Sequence, residues 1–194
     1  MTMTPRVRKL ALSLHVILSV GWIGAVAAYI TLDVAAVTSP DADTLRAAYL
    51  AMEVTSRRAI VPLAVSSLLT GLVMSLGTKW GLFRHYWVLI SLILTVLATL
   101  VLLVEIRTIS HLANVAADST TSSEDLRSLG GTLPHSVGGM FVLLVISVLN
   151  MYKPQGITPY GWRKQREQRR KGQEQRESAE RVQRGALKSH GRTL

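Results

Sequence analysis

Four apolar runs, each without a single Asp, Glu, Lys or Arg, limit what this chain can fold into more than any other feature: residues 10–32, 59–76, 87–104 and 135–152. At about 1.5 Å of rise per residue, the first run makes roughly 34 Å of helix and the 18-residue runs about 27 Å. A bilayer hydrocarbon core is about 30 Å thick, so each run is a candidate transmembrane helix and the shorter ones only just suffice. A cleaved signal peptide is the rival reading of the first run, but that run exceeds the length of a signal-peptide core and three more follow it.

The polar remainder orients the runs. Arg6, Arg8 and Lys9 precede the first run, Lys79 and Arg84 sit between the second and third, and residues 153–194 carry 12 Lys or Arg against 4 Glu, a net +8. An N-terminus inside the cytoplasm therefore places 17 cations on the inner side. The outer side receives 5 cations and all 8 acidic residues of the first 152, as the positive-inside rule expects. The expected architecture is an all-α, four-helix transmembrane bundle over residues 1–152, with both termini cytoplasmic and a basic tail over 153–194.

Two connections carry further signals. After Ser39 or Asp41 as a helix cap, Leu45, Ala48, Tyr49 and Met52 recur at helical spacing, which predicts an outer amphipathic helix. Ser67, Gly71 and Ser75 repeat every four residues in the second run, the spacing that lets membrane helices approach closely. The tail is almost wholly Arg, Gln, Glu, Lys and Ser from Arg163 onward, so it is expected as disordered chain or a solvated helix. Its charge suits anionic lipid headgroups, and without a folded reader it does not point to nucleic acid.

The chemistry rests on few residues. Cysteine is absent, which excludes disulfides, thiolate metal sites and iron–sulfur clusters. No phosphate loop, HExxH pair or nucleophile elbow is present. His15 lies within the first run, and Ser19, Trp22, Val26, Tyr29 and Asp33 follow it on one helical face, a stripe expected to point into the bundle. Three roles compete for His15: an interhelical hydrogen bond, an axial ligand to haem, or a proton relay. The other candidate ligands are His85 near the inner interface and His111 and His135 near the outer ends of their runs. His15 and His135 differ in depth by about 20 Å, so they do not form a pair. Copper through His135 and Met140 is an open but uncompelled alternative.

The segment Leu14-His15-Val16-Ile17-Leu18-Ser19-Val20-Gly21-Trp22-Ile23-Gly24 resembles the first helix of the haem-binding, four-helix membrane protoporphyrinogen oxidases and of the membrane domains of copper-resistance proteins. SLGTKWGLFRHYWVLISLILT and VLNMYKPQGITPYGWRKQ are similar to segments of an uncharacterised family of small bacterial integral membrane proteins, a likeness covering roughly residues 8–165. That likeness implies four spans in a bacterial plasma membrane and no assigned activity. The oxidase likeness implies haem b on His15. Those oxidases also use a lysine within the membrane, whereas Lys79 lies in a loop, and only His15 carries over.

Three functions follow in order. The first is a b-type haem or quinone-linked redox protein using the His15, Ser19, Trp22 and Tyr29 face. The second is a non-enzymatic membrane subunit that packs with a membrane protein partner or a second copy of itself. The third is a small transporter, although no run carries paired charges.

Overall fold

The computed structural model describes residues 3–77, 83–154 and 156–190. Seven α-helices form among them: α1 Pro5–Thr38, α2 Ala42–Thr55, α3 Val61–Gly77, α4 Tyr86–Ala117, α5 Ser123–Ser128, α6 Leu133–Tyr152 and α7 Pro159–His190. A π turn, Ser56–Ile60, joins α2 to α3. The only strand-like pairing among the described residues is an isolated bridge between His85 and Ile157. The fold is an all-α bundle, and the helices carrying the four apolar runs are long and apolar enough to cross a membrane. Lys79 and Trp80 of the expected basic turn lie outside the described residues.

Each helix starts and stops for a local reason. Pro5 and Pro134 open α1 and α6, where a missing backbone donor costs nothing. Asp41 caps α2 by accepting from the Thr44 backbone N–H at 2.9 Å. Lys153 ends α6 in the left-handed region at φ 44°. The C-terminal carbonyls of α4 and the turn after it are collected by Arg46 of α2, which donates to Ala116 O, Asp118 O and Thr121 O. A guanidinium there both satisfies orphan acceptors and opposes the negative end of the helix dipole.

α1 packs on α2, α3 and α6, while α4 packs on α2, α3 and α6. The core does not run evenly along this bundle. Leu45, Ala48, Tyr49 and Met52 of α2 are buried, with Trp22, Val26, Tyr29 and Ala36 of α1, Ile109, Leu112 and Ala116 of α4, and Leu126 of α5. These residues gather at the end carrying α2 and α5, here termed the capped end. Within α1, no residue before Trp22 is buried.

The opposite half is held by small and polar contacts. Ser19 Oγ meets Ser67 Oγ at 2.8 Å, His15 Nδ1 meets Thr70 Oγ1 at 3.0 Å, and the His15 ring lies over Gly71. The small-residue face of α3 therefore meets the polar stripe of α1. Large side chains such as Leu10, Ile17, Val104 and Phe141 point outward, as lipid-facing residues must.

The continuous rod α2–π turn–α3 buries Leu45, Tyr49, Met52, Ser56, Ile60, Ala64 and Ser67. Three successive steps of four between Met52 and Ala64 would walk around a regular α-helix, which turns every 3.6 residues. The π turn absorbs the drift: Val61 N–H bonds to Ser56 O, one residue further than in an α-helix. One face thereby serves both the cap and the span.

Met3 and the base of α7 lie at the end opposite the cap. Met3 N–H donates to Gly77 O, and Thr158 N–H donates to Arg84 O at 3.1 Å. The Thr158 hydroxyl also donates to Phe83 O, which fixes the base of α7 to the turn before α4. Beyond that base, α7 is largely exposed as far as residue 180, and residues 163–171 hold six cations, Arg163, Lys164, Arg166, Arg169, Arg170 and Lys171, and one acid, Glu167.

Candidate functional site

The end of the α1 stripe carries the most deeply buried acid. Asp33 is fully buried and accepts three hydrogen bonds: from Thr132 N–H at 3.0 Å, from Thr132 Oγ1 at 3.0 Å and from Ser136 Oγ at 2.9 Å. It has no ion pair among the described residues. Burying a carboxylate is costly unless donors replace its water, and here the start of α6 supplies them. Gly131 is required at this approach, because a Cβ there would stand 2.6 Å from Asp33 Oδ1. Tyr29 Oη lies 2.7 Å from Thr132 Oγ1, and Tyr49 Oη donates to Gly130 O at 2.6 Å. The loop entering α6 is thus pinned by α1 and α2 together.

This network forms one wall of a cleft between α1, α4 and α6. Trp22, Val26 and Tyr29 line it from α1, Leu102, Glu105 and Ile109 from α4, and His135, Ser136, Gly139 and Leu143 from α6. The cleft is open on one side and has a cavity volume of about 90 Å³. His135 stands at the mouth with a side chain 60 % exposed, its Nε2 3.6 Å from Glu105 Oε1. The walls are apolar and aromatic, with a few polar atoms converging at the capped end. Pockets that bind small ligands have this composition.

The four histidines whose side chains are described, His15, His85, His111 and His135, do not converge. His15 lies 18 residues before Asp33 on the same helix, about 27 Å along its axis, and meets Thr70 and Gly71. His85 caps α4 and its ring sits 6.4 Å from the Trp87 ring. His111 is exposed on α4, six residues past Glu105. His135 alone joins an acid in the cleft, and no group of three metal-ligating side chains occurs among the described residues. Ser19 supports α1–α3 packing, whereas Trp22 and Tyr29 line the cleft.

Sequence reasoning placed Asp33 on the stripe without making it the centre of a network, and did not pair Glu105 with His135. The available signal was a charge at the end of an otherwise apolar face. Thr132 and Ser136, flanking Pro134 at a helix start, carry no motif.

No family model matches the chain, and neither a curated protein nor a solved structure does.

Proposed function

We propose that this chain is a multi-pass protein of the bacterial plasma membrane, with both termini cytoplasmic, that binds a lipid-soluble redox carrier of the quinone class in the cleft. The distribution of charge supports the orientation: cations dominate the segments at the end holding Met3 and the base of α7, and acids the capped end. The observation that carries the ligand class is the meeting of Glu105, His135 and Tyr29 at the head of an apolar, Trp-lined cleft reached from between membrane helices. A quinone combines a flat ring, two oxygen atoms that hydrogen-bond, and a tail soluble in lipid. A dry, enclosed cavity of about 150 Å³ holds a benzene ring, so the 90 Å³ here takes a ring only with one edge toward the mouth.

Haem on His15 suits this packing less well. Both ring nitrogens face α3: Nδ1 is bonded to Thr70, and a Cβ on Gly71 would lie 3.8 Å from Nε2. An iron on Nδ1 would have to displace the Thr70 hydroxyl. In this reading His15 is an interhelical tie, of the kind that contributes about 0.6 kcal/mol in membrane proteins.

The test is a titration of the full chain in lipid nanodiscs with a short-chain quinone, followed by tryptophan quenching. Saturable binding is expected, and Gly139→Leu should abolish it, because Gly139 lines the cleft and a Cβ there meets nothing within 4 Å. Binding that is non-saturable, or that survives Gly139→Leu, refutes the proposal. A Soret band lost on His15→Ala would restore the haem reading.

A further inference from the structure

Counting hydrogens on the hydroxyls of the cleft leads to a sharper statement, which rests on the quinone reading. Thr132 Oγ1 has one hydrogen and gives it to Asp33 Oδ2. It therefore cannot donate to Tyr29, so the 2.7 Å contact between them is Tyr29 donating to Thr132. Ser136 Oγ has acceptors in Asp33 Oδ2 and Leu133 O, and Ser56 Oγ donates to Met52 O. Every hydroxyl hydrogen on the cleft wall is committed inside the protein.

What remains on the hydroxyls at this level is lone pairs. Tyr29 Oη has given its hydrogen away and retains acceptor capacity. Glu105 makes no hydrogen bond among the described residues, and its closest polar contact is His135 Nε2 at 3.6 Å. The donors left are the Trp22 indole, seven residues or about 10 Å along α1 from Tyr29, and the His135 imidazole, whose Nε2 stands 3.6 Å from Glu105 Oε1. At the head of the cleft the acceptors, both Glu105 oxygens and Tyr29 Oη, thus outnumber the one donor group, the His135 imidazole, which already lies beside Glu105.

A quinone carbonyl only accepts hydrogen bonds, and a hydroquinone hydroxyl donates them. We infer that the cleft binds the reduced, hydroquinone form of its ligand in preference to the oxidised form, with Glu105 and Tyr29 accepting from the ring hydroxyl. One hydrogen bond to a charged acceptor, made by one form and denied to the other, corresponds to a preference of about tenfold or more. By linkage, a tenfold preference raises the two-electron midpoint potential of the bound couple by about 30 mV.

The experiment compares a short-chain hydroquinone with its matching quinone, by anaerobic calorimetric titration into the full chain in nanodiscs. The expected result is hydroquinone binding about tenfold tighter. Glu105→Gln should shrink that ratio several-fold, and Tyr29→Phe, which removes an acceptor without adding a donor, should shrink it independently. Equal affinities, or tighter quinone binding, overturn the preference while leaving the quinone reading intact. A preference that persists in both variants overturns the assignment to these acceptors. If neither form binds, the proposed function fails and the preference with it.

Discussion

Replacing Asp33 by Ala should destabilise this protein more than any other single polar change in the capped half. Removing the carboxylate takes the acceptor from three donors in a site with no solvent access. Ser136 has a substitute in Leu133 O at 3.1 Å, so two donors of Thr132 are stranded. A buried donor left unmet costs about 1–3 kcal/mol, which gives a loss of about 2–6 kcal/mol. For a chain of this size, about 2 kcal/mol already lowers the apparent melting temperature by about 4 °C or more. Asp33→Asn should be milder. An amide oxygen can still accept from Thr132 N–H, and its NH2 can donate to the two hydroxyls, which reverse their roles. Thermal unfolding in one detergent at one scan rate should therefore rank wild type above Asn and Asn above Ala. An Ala variant within 1 °C of wild type, or one more stable than Asn, would show that the network does not hold α6 to α1.

Other consequences can be measured directly. Gly131→Ala places a Cβ 2.6 Å from both Asp33 Oδ1 and Val37 Cγ1 and should cost about 1–3 kcal/mol, whereas Gly138→Ala, with open space around it, should leave the melting temperature nearly unchanged. Asp41 is held below the ordinary carboxylate value of 3.8, first by the Thr44 hydroxyl and then by its N–H; Asp118 is held down likewise by Thr120. Because the folded chain resists protonating them, their contribution is complete above pH 3.8 and is lost as pH falls through their lower folded values. Melting curves between pH 6 and 3 should show that loss, and Asp41→Asn should flatten it. Since the chain contains no cysteine, a lone Ser128→Cys should react with an impermeant maleimide on intact cells and Glu174→Cys should not. The reverse pattern would invert the proposed orientation.

The parts legible in sequence were those set by one helix at a time. The runs, the α2 face of Leu45, Ala48, Tyr49 and Met52, its cap at Asp41 and the inward stripe of α1 each follow from local periodicity. The cleft did not, because it depends on the relative rotation and axial offset of α1, α4 and α6. Glu105 reads as the polar end of a span until α6 brings His135 to it. Thr132 and Ser136 acquire meaning only when Asp33, about a hundred residues away, arrives between them. The π turn was equally hidden, since it is a response to two buried faces that are out of step.

That turn also decides where this gene can gain codons. Each residue of a helix carries about 100° of rotation, and the π turn already takes up one extra residue between Met52 and Ala64, so inserting one more there would swing the whole cap by that angle relative to α3. Leu45, Tyr49 and Met52 would leave the core, and Arg46 would leave the carbonyls it gathers. Between Asp118 and Ser122, where the chain is irregular, the same insertion would be taken up in the connection without rotating a helix. Added residues should therefore be tolerated at the tip of the cap and excluded from its junction with the membrane.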